Sequence, residues 1–309
     1  MFFTKTANQT AEPQNIHILG TSALGLSLAA ELQKIGHHIT FICRPQNADE
    51  YSATDFIFKD NRKLQTNRQT FNFMFEQTTA PQILFIASEP QFLRSDLLLL
   101  SSAKLANSLI INLTPCEPLA LADELLNHQT IPAYFYGWLT KNKNHVSLLG
   151  RRNNLTFSLD ELSSTAVLLH QIFAGTFFET SATDNNAFNL WRWLAPKALA
   201  LLLSLAEDVG VFSFIKKNDN RKLIDQYVSE LTALAAADGA NLNSADILAD
   251  IYAVPDGYTP TEAIKTEQIM LLAERISALL FRAVTADDQR FPTIRGWLRQ
   301  IRNKYSITA

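Results

Sequence analysis

The sequence predicts an α/β protein in which an N-terminal, Rossmann-type doubly wound sheet is followed by an all-helical C-terminal domain. Three observations carry this prediction. A strand, a helix and a second strand fit within residues 16–44, the size of one βαβ unit. Short apolar and β-branched runs then continue to residue 157, and beyond Leu159 the strand pattern gives way to long segments of helical period. With 309 residues, 47% of them hydrophobic and 18% charged, the chain can bury two cores of ordinary size.

The elements follow in order. Ile16, His17, Ile18 and Leu19 form a short buried strand bounded by Gly20, after which Leu24, Leu28, Leu32 and Ile35 recur at helical spacing. Gly36 closes that helix, because a helix C-terminus favours a residue that tolerates positive φ. Residues 38–42, HITFI, are β-branched and aromatic and make the second strand. Apolar runs at 56–58, 71–75, 83–86 and 109–111, with an amphipathic stretch near 91–105 between the last two, predict a largely parallel sheet. Phe71, Phe73 and Phe75 alternate at strand period and read as one face of a strand. Around the polar turn Lys141-Asn142-Lys143-Asn144, residues 131–157 switch to short strand-like segments and predict an antiparallel extension. Helices are predicted over 163–173, 184–209, 221–237, 244–252, 260–284 and 292–303. Small and polar residues interrupt the pattern at 175–183, so the domains are expected at 1–178 and 179–309.

The turn Gly20-Thr21-Ser22-Ala23-Leu24-Gly25 between strand and helix has the spacing of the dinucleotide fingerprint G-x-G-x-x-G, with Ser22 at the middle position. The first glycine of that motif makes the turn, the middle one lets backbone approach a pyrophosphate, and the third lets helix and strand pack closely. A serine there is expected to place its hydroxyl on a phosphate, beside the free N–H groups and positive dipole end of the helix. Arg44 stands just past the second strand, where an NAD site usually carries an acid and an NADP site a cation for the 2′-phosphate. Arginine grips a phosphate bidentately and an acid there would repel it, so the expected cofactor is NADP. The alternative for Arg44 is a solvated side chain at a strand end.

Charge and composition exclude several classes. A net charge of −3 without large Lys/Arg clusters argues against nucleic acid as partner. Lys59-Arg62-Lys63 and Arg151-Arg152 read as solvated loops that could widen the positive surroundings of a 2′-phosphate. No segment reaches the ~18 apolar residues of a membrane span, and the most hydrophobic, 194–211, carries Lys197, Glu207 and Asp208 and reads as a buried helix. The N-terminal residues show no cleavable signal pattern, and Cys43 and Cys116 give neither a disulfide framework nor a metal spacing, so a reducing cytoplasm is the expected compartment. The histidines are scattered, and no metal is expected.

The run ILGTSALGLSLAAELQKIGHHITFICRPQ resembles the N-terminus of the ketopantoate reductase (2-dehydropantoate 2-reductase) family, and Ile110-Ile111-Asn112, residues 136–150, residues 184–197 with Leu190-Trp191-Arg192, and residues 230–239 are similar too. The resemblance implies a Rossmann domain joined to a helical domain like that of 6-phosphogluconate dehydrogenases, and an NADPH-dependent reduction of ketopantoate or a related 2-keto acid in pantothenate biosynthesis. It places cofactor contacts at Ser88 and Asn112 besides the turn and Arg44. A catalytic lysine is implied one residue after the Trp191-Arg192 pair, where this sequence has Trp193, and a substrate-binding asparagine one helical turn later, where it has Lys197. Residues 193 and 197 share one helix face, so Lys197 is the expected catalytic cation. Burial in its apolar run would lower its pKa toward the range useful for proton transfer, and snorkelling to the surface is the alternative. Glu267, in one of two Thr-Glu pairs near the C-terminus, is the candidate for the family's catalytic glutamate. The expected partners are a small keto acid and a second copy of the chain in a homodimer. The rival reading is a non-catalytic NADP-binding protein that kept the fold and lost the chemistry.

Overall fold

A computed structural model describes residues 12–45, 51, 54–60, 65–89, 92–114, 125, 128–150, 152–256, 258 and 291–304. Strands β1 (Asn15–Leu19), β2 (His38–Ile42), β5 (Asn72–Met74), β6 (Ile83–Ile86), β7 (Leu109–Asn112), β8 (Thr130–Phe135), β11 (Asn154–Ser158) and β12 (Glu179–Thr183) form one sheet. Its order is β12-β11-β8-β7-β6-β1-β2-β5. All neighbours pair in parallel except β8 and β11, so β11 and β12 run against the rest. The chain winds from β1 outward through β2 to β5, then returns to β6 on the other side of β1 and winds the opposite way. The reversal lies between β1 and β6, and the crevice at their carboxyl ends is where such sheets bind ligands.

The predicted alternation to residue 157 is realised as two sheets, not one. Strands β3 (Phe56–Asp60), β4 (Gln65–Gln69), β9 (Trp138–Asn142) and β10 (His145–Leu149) make a second sheet in the order β4-β3-β10-β9. Lys141 and Asn142 of the predicted polar turn belong to β9, and the turn itself is made by Lys143, at φ 53°, and Asn144. Helix α1 (Ala23–Lys34) lies between the sheets, with Gly25 to Ala30 and Leu32 all buried. This explains why its sequence, ALGLSLAAELQK, has no broad polar face: a helix covered on both sides is apolar nearly all round. Val146 and Leu148 of β10 share one core with Leu26, Leu28 and Leu32 of α1 and with Ile18, Phe41 and Phe85 of the large sheet. Phe71 is buried against Phe41 and Phe56, while Phe75 is exposed.

After α2 (Leu93–Leu97), a 3-10 turn at Ser102–Lys104 and α3 (Ser164–Ile172), strand β12 extends the large sheet past residue 178, and the helical part begins at α4 (Asn186–Glu207). It continues through α5 (Val211–Ile215), α6 (Arg221–Ala237), α7 (Ser244–Tyr252) and α8 (Pro292–Lys304), close to the predicted segments; the helix predicted over 260–284 lies outside the described residues. Helix α4 is the axis of a second core, where Trp191, Leu199 and Leu202 pack with Tyr227, Leu231, Ile251 and Trp297. Two polar contacts orient the bundle. The indole Nε1 of Trp191 donates to Asp238 Oδ2 at 2.8 Å, and the carboxylate of Glu230 accepts the amides of Thr293 and Ile294 at 2.9 Å each, capping α8. Among the described residues no helix is long and apolar enough to cross a membrane.

His17, in the middle of β1, is 1% exposed, with Nε2 3.3 Å from Thr79 Oγ1. Burial lowers its pKa from 6.5 to about 4, so the folded protein holds it neutral where the unfolded chain already takes up a proton. Its contribution to stability is complete above about pH 6.5 and is lost as the pH falls toward 4. We predict that urea denaturation finds the protein about 2 kcal/mol less stable at pH 5 than at pH 8 on account of this residue. His17→Gln, which still reaches Thr79, should reduce the pH dependence by that amount; an unchanged difference between the two pH values would show that His17 is not its source.

Candidate active site

The turn after β1 is built by two close approaches. Gly20 has φ +87°, and a Cβ there would lie 2.5 Å from the Cα of Ser88, at the end of β6. A Cβ on Gly25 would lie 2.9 Å from the Cβ of Ala87. The outer glycines thus carry the roles the fingerprint assigns them, and the strand they pack against is β6, across the switch point. Ser22 sits at φ −64°, ψ 164°, extended backbone that costs an L-residue nothing, and caps α1 by accepting the Gly25 amide on Oγ at 3.2 Å. The Leu26 amide goes to the Ser22 carbonyl. Ala23 and Leu24 therefore carry the amides the helix end has to offer an anion, and the Ser22 hydroxyl, having accepted one bond, still has its proton to donate. These residues fit a dinucleotide pyrophosphate: the turn presents N–H donors at a positive helix end, and the side chain at its middle position, Ser22, is small and carries a hydroxyl.

Arg44, two residues past β2, is not a solvated side chain. Its guanidinium lies 3.8 Å over the ring of Phe92, and its Nε is 3.2 Å from Oδ1 of Asp96 in α2. Asp96 is buried; burial raises its pKa, and hydrogen bonding to Ser88 together with the charge of Arg44 opposes the rise. One carboxylate thereby links Ser88 and Arg44, which the sequence pattern could only name separately. Asn112, at the end of β7, spends its Oδ1 on the amide and hydroxyl of Thr114, at 2.9 and 2.6 Å, and so shapes the loop that follows the strand.

A residue that the sequence reading assigned to a polar turn stands on the phosphate turn itself. Lys141 of β9 donates from Nζ to the Thr21 carbonyl at 2.7 Å, lies 3.9 Å from Glu89 and 5.4 Å over the ring of Tyr51. Its partner is 120 residues away in sequence, and no local motif marks it.

At the other end of β9 lies Lys197. Its Nζ donates to the carbonyl of Gly137 at 3.2 Å and sits 4.5 Å from the ring of Trp138 and 5.5 Å from that of Trp193. Trp193 shares the helix face with Lys197, as the spacing requires, and forms a wall beside the ammonium. Pro196 has no amide to give to the Arg192 carbonyl, which loosens α4 at the turn that presents Lys197. Tyr136, Trp138, Arg152, Trp193, Pro196, Lys197 and Asp250 line a cleft of about 250 Å³, counting space open to solvent. Arg152, expected as a solvated loop residue, is in this cleft and paired with Asp250. Tyr136 donates its hydroxyl to the Asn189 carbonyl at 3.1 Å, and burial pushes its pKa well above the ordinary phenol value. Glu267 lies outside the described residues.

The four steps from Gly137, just before β9, to Lys141 within it span about 13 Å of extended chain, so one strand bears contacts to the phosphate turn and to the Lys197 cleft. The fold, taken as a whole, is shared with known proteins. Residues 16–92 match the family model of ketopantoate reductase PanE/ApbA, while no curated protein matches the chain significantly. Among solved structures, the PanE/ApbA family ketopantoate reductase from Ralstonia eutropha JMP134 aligns with 94% of this chain and 99% of its own at TM-score 0.73 and 19% identity. D-Mandelate dehydrogenase, determined with NADH and anilino(oxo)acetate, covers 94% and 98% at TM-score 0.72 and 14% identity. The dimeric ketopantoate reductase from Staphylococcus aureus covers 94% and 99% at TM-score 0.68 and 17% identity. The segment 16–92 thus carries the pattern of the ketopantoate reductase PanE/ApbA family, and the chain has the fold of ketopantoate reductases over 94% of its length.

Proposed function

We propose that the protein is an NADPH-dependent reductase of the ketopantoate reductase family that reduces the carbonyl of a 2-keto acid, ketopantoate or a relative of it. The observation that carries this reading is β9, which joins the phosphate turn to a cleft holding a half-buried lysine between two indoles. The division of labour follows the two cores: the sheet unit, taken as 1–178 with β12 added at its edge, holds the cofactor, and the helical unit supplies Lys197. A homodimer is proposed on the example of the dimeric S. aureus protein, and a place in pantothenate biosynthesis in the cytoplasm follows from the family reading.

The nicotinamide, when bound, supplies the hydride. The chain's residues do the rest. The turn of Gly20, Thr21, Ser22, Ala23, Leu24 and Gly25 receives the pyrophosphate, with the amides of Ala23 and Leu24 and the Ser22 hydroxyl as its donors. Arg44, its guanidinium held by Phe92 and Asp96, presents its remaining N–H groups to the 2′-phosphate without having to be ordered on binding. Ser88 and Asn112 close the crevice at the ends of β6 and β7. Lys197 directs its ammonium at the carbonyl oxygen and gives it a proton as negative charge develops there, with Trp138 and Trp193 keeping water from the ammonium. Glu267 remains the proposed second catalytic group.

Three measurements test this. Arg44→Ala should weaken NADPH binding by about 10- to 100-fold, the range for a charge-assisted contact, and NADH binding far less; equal losses in a fluorescence titration would refute the 2′-phosphate assignment. Lys141→Ala should weaken NADPH and NADH by the same few-fold factor, because it braces the turn common to both; a loss confined to NADPH would mean that Lys141 reads the 2′-phosphate instead. Lys197→Met should lower kcat for reduction of ketopantoate or the best 2-keto acid by about 10²-fold or more, with NADPH affinity kept. Undiminished turnover would remove Lys197 from the chemistry. NADPH binding without oxidation by any 2-keto acid would favour the non-catalytic cofactor binder.

A further inference from the structure

We propose that Arg152 is the residue that holds the carboxylate of the substrate, anchored for that task by Asp250. The inference rests on the reading of the cleft as the place where a 2-keto acid is reduced, and it adds the group that selects an acid over a neutral carbonyl compound.

The argument begins with charge. Asp250, on α7, is 4% exposed, and it faces two guanidiniums: Nη1 of Arg152 pairs with its Oδ1, and Nε of Arg192 donates to its Oδ2 at 3.1 Å. Among the described residues, one carboxylate between two guanidiniums leaves a unit of positive charge, beside a cleft also lined by the aromatic rings of Tyr136, Trp138 and Trp193. A surplus cation facing low-dielectric walls attracts an anion more strongly than a surface arginine does. Of the two arginines, Arg152 is the one that lines the cleft. The bond to Asp250 engages Nη1, and a guanidinium has further N–H donors in the same plane with which to grip a second carboxylate. Arg192 is turned instead to Asp250 and the ring of Tyr136, at 5.8 Å. Asp250 does not repel an incoming acid, because both of its oxygens are already engaged.

Geometry adds the second step. Arg152 and Lys197 line the same cleft, from opposite units of the fold. A 2-keto acid carries its carboxylate on the carbon next to the carbonyl, so a cation for the oxyanion and a cation for the carboxylate are needed side by side. The cleft supplies both. Its aromatic walls suit an aliphatic or aromatic substituent on that acid.

The test uses the full chain and the tryptophans already in the cleft. Trp138 and Trp193 should report ligand entry as a saturable change in intrinsic fluorescence when 2-oxobutanoate is titrated, and its uncharged methyl ester should bind at least 10-fold more weakly. Arg152→Gln, with its fold verified by circular dichroism, should weaken the acid by about 10- to 100-fold and bring acid and ester within a few-fold of each other. Arg152→Lys, which keeps the charge but not the fork, should fall between. A purely structural arginine would instead lower acid and ester binding together or leave both unchanged, and either result overturns the proposal, as does equal binding of acid and ester, or of neither, by the unaltered protein. Acid binding that depends on Arg152 without any NADPH oxidation would sink the reductase reading and leave the carboxylate site standing. Oxidation of NADPH by acid and ester with equal kcat/KM would sink the carboxylate site and leave the reductase.

Discussion

The contact on which the rest of the molecule depends is the close approach of the β1 turn to the end of β6. Gly20 and Gly25 have no side chains where a Cβ would collide with Ser88 and Ala87, and so α1 can start immediately above the point where the sheet reverses its winding. Had either position carried a side chain, helix and strand would have to separate by an ångström or more, and close-packed interiors resist such a shift. The approach sets three things at once. It aims the amides of Ala23 and Leu24 into the crevice, brings Ser88 beside the turn, and seats α1 so deeply that a second sheet can cover its other face.

That second sheet is what connects the β1 turn to the Lys197 cleft. Because it lies on α1, its edge strand β9 passes the phosphate turn, where Lys141 holds the Thr21 carbonyl, and ends against α4, where the Gly137 carbonyl holds Lys197. A β-strand is stiff over this length and its residues are evenly spaced, so the distance between turn and lysine is set by backbone geometry and not by the rotamers of long side chains. A Cβ on Gly137 would lie 2.6 Å from the Arg152 carbonyl, so the same tight spot fixes where the Lys197 acceptor and the Arg152 backbone sit relative to each other.

What was legible in the sequence follows from how local each interaction is. The βαβ unit, the fingerprint turn and the helical half were readable because periodicity and turn chemistry act over a few residues; the helix over 221–237 and that over 244–252 fall where the pattern puts them. The second sheet was not legible. β3 pairs in parallel with β10, nearly ninety residues later, and a short apolar run such as Phe56-Ile57-Phe58 does not say which sheet it joins. Lys141 and Arg152 escaped for the same reason: each looks like a basic residue in a polar turn until its partners, Thr21 and Asp250, arrive from more than ninety residues away in the chain. Arg44 was legible by its place after β2, but Asp96, which holds it, has no signature of its own.

The cleft also bears on why a tryptophan can stand where the family resemblance implies a lysine. Moving the ammonium from position 193 to 197 shifts it by four residues, about 6 Å along α4, and leaves a large side chain where a flexible cation would have been. The indole of Trp193 occupies that space and, with Trp138, faces the ammonium with its π-electrons. The ammonium at 197 thus stays on the helix face of residue 193 and lines the same cleft as the Arg152–Asp250 pair.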